Sequence, residues 1–254
     1  MSDGPNLRQR VRTAVIREAL EEALARRAAE VGRADLEVLD VGGGTGGFAV
    51  PVAALGHRVT VLEPSPDALA ALDRRAADAD VATLIRSVQD DASRLGELFP
   101  PESFDVVLCH GVLEHVEEPN AVLAAAATLL RTGGPISVLA ANRNAAVLAR
   151  AVAGHLDQAR AALVDPAGRW GDRDPLPRRF APEDLPPMFA AAGLSITAVH
   201  GIRVCSDLVP AGLVDGDPAR SAELLDLETQ LAVRPEFLVV AAQLHVLATR
   251  GAVM

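Results

Sequence analysis

The sequence predicts a doubly wound α/β protein: a mostly parallel seven-stranded sheet with helices on both faces and an antiparallel hairpin at one edge. Three observations predict it. Short runs rich in β-branched residues alternate with helix-like stretches along the whole chain, the rhythm of repeated right-handed βαβ units. These runs are apolar throughout, not alternating, as strands covered on both faces are. The first of them leads straight into a glycine cluster, and small molecules bind to open α/β sheets at the carboxyl ends of the strands.

Taken in order, residues 7–31, within an N-terminal helix region spanning 1–35, read as a helix of Ala, Leu, Glu and Arg. Strands are predicted at 36–41 (LEVLDV), 58–62 (RVTVL), 81–86, 104–109 (FDVVLC) and 136–140 (ISVLA). Helices are predicted between them at 47–55, 66–79 and 120–131; Ser65 is the N-cap of the second, with Pro66 at its first position. A further helix is expected over 144–164. Residues 165–187 hold six prolines, four arginines and Trp170, the chain's one tryptophan, a composition that predicts a loop. The whole 142–190 region is read as a lid over the substrate. A short helix at 187–192, a strand at 195–204, a helix at 218–231 and a last strand at 237–247 complete the edge hairpin. All 254 residues are expected to form one domain.

Half of the chain (50%) is apolar and 23% is charged, which excludes a disordered chain or a disulfide scaffold. No apolar run approaches the roughly 18 residues of a membrane span. The opening MSDGPNLRQR has no apolar core of a secretory signal, so a cytoplasmic protein is expected, with Cys109 and Cys205 as reduced thiols. The net charge of −10 argues against gripping duplex nucleic acid mainly through its phosphates. The chain has no lysine, so all 24 strong cations are arginines; as a class they carry no functional signal.

The chemistry gathers around Asp40-Val41-Gly42-Gly43-Gly44-Thr45-Gly46-Gly47. Gly42, Gly44 and Gly47 fit the dinucleotide fingerprint GxGxxG. Asp40, Gly42, Gly44 and Gly46 equally fit (D/E)xGxGxG, the cofactor loop of S-adenosylmethionine (SAM) methyltransferases. Glu63, 23 residues after Asp40 at the tip of the second strand, can accept both ribose hydroxyls of either cofactor. Gln89, Asp90 and Asp91 follow the third strand, where an acid or amide meets an adenine amino group. FDVV runs through Cys109 and His110 into Val112-Leu113-Glu114-His115-Val116, and Leu130-Arg131-Thr132-Gly133-Gly134 precedes the fifth strand. This series over residues 36–141 resembles the Rossmann-like class I SAM methyltransferases and not dehydrogenases. An NAD(P)-dependent oxidoreductase and a non-catalytic SAM-binding module are the alternatives from other classes.

Three further stretches, CHGVLEHVEEP, AVAGHLDQA, and GIRVCSDL with LLDLETQLAVRPEFLVVAAQLHVLATR, resemble the tRNA 5-carboxymethoxyuridine methyltransferase family (CmoM, formerly SmtA). That family methylates the carboxylate of a modified wobble uridine, so the resemblance implies SAM as cofactor and tRNA as acceptor. It implies that Arg12 pairs with the methionine carboxylate, that Gly42 and Gly43 meet the cofactor, that Glu63 holds its ribose and that Gln89 and Asp90 meet its adenine. His110 would touch the cofactor or the surroundings of the transferred methyl. The family's tyrosines and lysine run are missing here, which leaves a small-molecule carboxylate, hydroxyl or amine as the rival acceptor.

A carboxylate acceptor is already ionised at neutral pH and needs alignment, not a general base. The substrate-orienting candidates are therefore Arg203 and Asn142, followed by Arg169, Arg173, Arg178 and Arg179. Trp170 and Phe180 are the aromatic side chains offered for base stacking. His115, His155, His200 and His245 lack metal-ligand spacing, and no metal is expected.

Overall fold

The computed structural model describes residues 7–214 and 217–251. The chain runs α1 (Leu7–Val31), β1 (Glu37–Val41), α2 (Ala49–Ala54), β2 (Arg58–Leu62), α3 (Pro66–Asp78), β3 (Ile85–Val88), α4 (Leu95–Leu98), β4 (Val106–His110), α5 (Pro119–Leu129) and β5 (Pro135–Ala141). It continues through α6 (Arg143–Val152), α7 (Leu156–Val164), α8 (Leu185–Ala191), β6 (Leu194–Ile202), α9 (Pro218–Ala232), α10 (Pro235–Leu238) and β7 (Gln243–Arg250). The strands pair in the order β3-β2-β1-β4-β5-β7-β6. The first five are parallel. Gly133 and Asn142 donate backbone N–H groups to Arg250 and Ala242 respectively, the opposite-running register of an antiparallel β7. The predicted fold class holds.

Register explains where a ligand can sit. Val41 pairs with Leu62 on one side and Cys109 on the other. The residues that follow, Gly42, Glu63 and His110, therefore leave the sheet side by side at its carboxyl edge, where the strand order reverses around β1.

The residues divide into two compact units. One holds residues 20–139, 186–198 and 246 onward. Its core packs Leu20, Leu24, Leu36, Val38, Val52, Val59, Val61, Leu72, Val106 and Leu108. The side chain of Asp105, fully buried, accepts the Glu37 N–H at 2.8 Å and an Arg33 guanidinium N–H, and forms an ion pair with Arg131 at 2.9 Å. One carboxylate thus ties the starts of β1 and β4 to two flanking arginines, and pairing on several sides is what makes such a buried charge tolerable.

The other unit holds the described residues up to 19, 140–185 and 199–245. Its loop after α7 is a built structure. The buried carboxylate of Asp174 accepts the N–H groups of Trp170 and Leu176, both at 3.0 Å, and the Arg179 guanidinium at 2.7 and 2.9 Å. Among described residues, Cys109 and Cys205 are both free thiols, and no helix is long and apolar enough to cross a membrane.

Three element predictions shift. The third strand begins at Ile85, because 82–84 form a 3-10 turn. The helix expected over 144–164 breaks at Gly154, whose φ of +79° suits glycine best. The last strand begins at Gln243, because Pro235 starts a single helical turn that consumes 235–238.

Candidate active site

The loop after β1 is shaped by Gly42 and Gly43, which have no room for side chains. A Cβ on Gly42 would lie 2.5 Å from Val112 Cγ2, and one on Gly43 2.6 Å from Asp40 Oδ2 and 2.8 Å from Val61 Cγ1. The Gly42 N–H donates to the Leu62 carbonyl at 2.7 Å, pinning the loop to β2. Glu63 receives the Gly44 N–H on one carboxylate oxygen and the Ser65 N–H on the other, each at 3.0 Å. Two N–H donors leave about half of a carboxylate's acceptor capacity for hydroxyls.

Beside this loop lies a cavity of about 730 Å³, lined by Gly42, Leu62, Glu63, Pro64, Asp91, Ala92, Ser93, Gly111, Val112, His115 and residues 116–118 and 121–122. That volume is in the ~300–1,000 Å³ range of small-molecule sites. All of its lining belongs to one compact unit.

Asp40, 2% exposed, lies beneath the loop, and its Oδ2 has no hydrogen-bond partner. Burial, reinforced by the charge of Glu63 and opposed by a backbone bond from Ala49, pushes its carboxyl up to about 7. The glycine cradle, the acid at the tip of β2 and the cavity beyond them fit an adenosine-bearing cofactor. Gly42 and Gly43 would carry it against the backbone and Glu63 would hold its ribose. When bound, SAM supplies a methyl group on a sulfonium.

The other predicted cofactor residues fall out unevenly. Gln89 is exposed and its amide donates to the Pro64 carbonyl at 3.4 Å. Asp90 is paired with Arg94 at 2.8 Å and accepts the N–H of Asp91. Neither lines the cavity; Asp91, Ala92 and Ser93 do. Of the Gln89–Asp91 segment, Asp91 is thus the residue on the cavity wall, and Ala92 and Ser93 extend it. Ser93, through its hydroxyl and N–H, holds the Asp91 carboxyl below its usual range. His110 is not on the cavity wall either: its Nε2 lies 2.8 Å from Ser137 Oγ, and its ring packs edge-on against Phe48. His115, five residues on, does line the cavity. Its signal was available, since it sits on the loop leaving the carboxyl end of β4. The side chain of Arg12 lies outside the described residues.

On the acceptor side, Asn142 is spoken for. It is 1% exposed, and its amide donates to the carbonyls of Leu238, Val239 and Ala241 while its oxygen caps α6 through the Asn144 N–H. No donor is left to orient a substrate, so its part is structural. Arg179 is likewise committed to Asp174, and Phe180 is buried, so neither is offered to a ligand. Among the described residues Arg169, Arg173 and Arg178 form no ion pair. Trp170 carries the Arg150 guanidinium 4.4 Å from its ring centre, a cation–π contact. Arg203 closes β6 with a left-handed φ of +56°, and its Nε is 3.5 Å from Asp207. His200 and His245, 45 residues apart in sequence, meet at 3.1 Å across β6 and β7.

A parallel sheet in this order, an antiparallel β7 and a glycine cradle beside an acid at the tip of β2 define the class I SAM-dependent methyltransferase architecture. Residues 39–138 match the family of the methyltransferase domain. The chain is 29% identical over 244 residues to a tRNA 5-carboxymethoxyuridine methyltransferase of Escherichia coli (strain K12), covering 94% of this chain and 88% of that one. It is 34% identical over 171 residues to a ubiquinone biosynthesis O-methyltransferase of Xanthomonas euvesicatoria pv. vesicatoria (strain 85-10), covering 66% of each. The crystal structure of a magnesium protoporphyrin IX methyltransferase from Synechocystis PCC 6803 with bound SAH superposes with a TM-score of 0.61 at 16% identity, over 99% of this chain and 90% of that one. These findings make the chain a SAM-dependent methyltransferase, an enzyme that uses SAM. These findings favour the methyltransferase reading over the oxidoreductase alternative.

Proposed function

We propose that the methyl acceptor is the carboxylate of 5-carboxymethoxyuridine at the wobble position of tRNA, in the cytoplasm, within a single functional domain whose 142–190 segment serves acceptor binding. One observation carries this reading. The likeness to the tRNA methyltransferase runs over 94% of the chain, through the acceptor-side segments GIRVCSDL and LDLET, whereas the likeness to the ubiquinone enzyme covers 66%.

The chemistry agrees with the residues present. An ionised carboxylate needs no proton removed, so the protein's task is to bind, align and partly desolvate it. Gly42, Gly43 and Glu63 hold the cofactor, with Arg12, Asp40, Gly44 and Asp91 around it. Arg203 meets the acceptor's charge, and Arg169, Arg173 and Arg178 supply cations for the nucleic acid. Trp170 is the side chain suited to stacking on a base.

A second reading is methylation of a small molecule. It is favoured by the net charge of −10 and by the loop cation Arg179 being neutralised by Asp174. Mass spectrometry of tRNA nucleosides from cells with and without the gene separates the two. Loss of the methyl ester of 5-carboxymethoxyuridine is the expected result; an unchanged nucleoside profile refutes the tRNA reading.

A further inference from the structure

The turn that leaves β6 holds two buried hydrogen-bond donors with nothing to donate to. Arg203 Nε and Ser206 Oγ, three residues apart, are both buried without a hydrogen-bond partner. Ser206 is 2% exposed. Asp207 approaches Arg203 Nε only to 3.5 Å, an ion-pair distance longer than a good hydrogen bond. Buried donors are nearly always satisfied, and each one left unpaired costs on the order of 1–3 kcal/mol. Two such groups on one short turn therefore call for a common explanation.

The backbone adds a second, independent mark. Arg203 is a non-glycine residue at φ +56°, a conformation that costs roughly 1 kcal/mol or more and persists only where its surroundings enforce it. The enforcing group is visible. Glu228 on α9 is 1% exposed and accepts the N–H groups of Val204 and Cys205, each at 2.9 Å, and of Ser206. The Cys205 thiol also donates to it, and burial together with that carboxylate pushes the thiol up to about 12. The Ala242 N–H holds the Arg203 carbonyl at 3.2 Å. Four donors fill the capacity of Glu228, so the carboxylate fixes the turn and leaves the Ser206 hydroxyl unclaimed.

We infer that residues 203–206 form an oxyanion subsite for the acceptor's carboxylate, with the Arg203 guanidinium and the Ser206 hydroxyl as its donors and Glu228 as the positioning residue behind them. The inference rests on the reading that the acceptor is a carboxylate. An anion is the ligand chemistry because arginine has no acceptor atom and offers only N–H; a carboxylate would replace the loose contact from Asp207 and take the Ser206 proton as a hydrogen bond. A phosphate of the nucleic acid presents the same chemistry, and the experiment separates the two.

The test is calorimetric titration of the full-length protein saturated with S-adenosylhomocysteine, using 5-carboxymethoxyuridine nucleoside, its carboxamide analogue and uridine 5′-monophosphate. The expected result for the unmodified protein is that the carboxylate binds about tenfold or more tighter than the carboxamide, as two charge-assisted bonds to an anion require. Ser206→Ala and Arg203→Ala should each bring the ratio close to one, with affinity for S-adenosylhomocysteine kept. Glu228→Gln, which preserves shape, should also lower the ratio, and Arg203→Lys should restore part of it. A merely structural role would weaken both nucleosides equally. Variants that keep the full ratio overturn the subsite, as does an unmodified protein that does not discriminate or that prefers the monophosphate. Methylation of tRNA is measured alongside. Carboxylate discrimination without turnover on tRNA removes the tRNA acceptor and leaves the subsite standing; turnover on tRNA with no discrimination does the reverse.

Discussion

The loop after β1 keeps its shape through what it lacks, while the turn after β6 keeps its shape through what a helix more than 20 residues away supplies. At Gly42 and Gly43 any Cβ would meet Val112 or Asp40 within 2.6 Å, so the backbone itself forms the binding surface. At Arg203–Ser206 side chains are present, and the backbone is held by the carboxylate of Glu228. The first design is contiguous in sequence and tolerates no side chain at Gly42 or Gly43. The second is assembled from two elements, and part of it can be altered without collapsing the rest. Binding a cofactor common to many enzymes suits the first; fitting an acceptor particular to one enzyme suits the second.

The largest effect is expected in the cofactor loop. Gly43→Val should abolish measurable SAM binding, a loss of at least about a hundredfold, because its side chain displaces Asp40 and Val61. Retained micromolar binding by calorimetry would mean that the backbone does not carry the cofactor. Next, Glu228→Ala should lower unfolding free energy by about 3 kcal/mol or more, since three N–H groups of the turn lose their acceptor. Chemical denaturation measures it, and a loss below about 1 kcal/mol would dissolve the contrast between the two sites.

Asp40 sharpens the contrast through pH. Its folded carboxyl, at about 7 against an ordinary 3.8, binds a proton that the unfolded chain has released. The stability from this group is fully present below about pH 4 and is lost as pH rises through 7. Asp40→Asn should flatten that decline between pH 4 and 7; denaturation curves of both proteins across that range reveal it, and parallel curves would contradict a buried, raised carboxyl. A smaller change follows from Asn142→Ala: about 1–2 kcal/mol of stability with the acceptor's KM unmoved. A raised acceptor KM at unchanged stability would return Asn142 to the orienting role that its clamp on 238–241 argues against. The smallest contrast is Gln89→Ala, which should leave the KM for SAM within about twofold, against Asp91→Ala, which should raise it severalfold.

The same contrast explains what could be read from the chain. The sheet was legible because βαβ rhythm and apolar runs are local patterns, and the cofactor loop because its glycines are neighbours. Within the Gln89–Asp91 segment, only Asp91 reaches the cavity wall, a difference between neighbouring loop positions that composition does not reveal. Asn142 and Arg179 misled because polar side chains in a loop look free until their partners, the 238–241 carbonyls and Asp174, are seen. Glu228 stood inside the LDLET stretch, but nothing local says that a helical glutamate will turn inward to receive three N–H groups from residues 204–206. The meeting of His200 and His245 is equally a product of strand register.

The central claim is that the backbone after β1, with Glu63 and the cavity beside it, holds SAM. Isothermal titration of the purified protein with SAM and with S-adenosylhomocysteine tests it directly. One site per chain, with both ligands binding and Glu63→Ala weakening each about tenfold or more, is the predicted result. No heat from either ligand, with NAD(H) binding in their place, would contradict the account at its foundation.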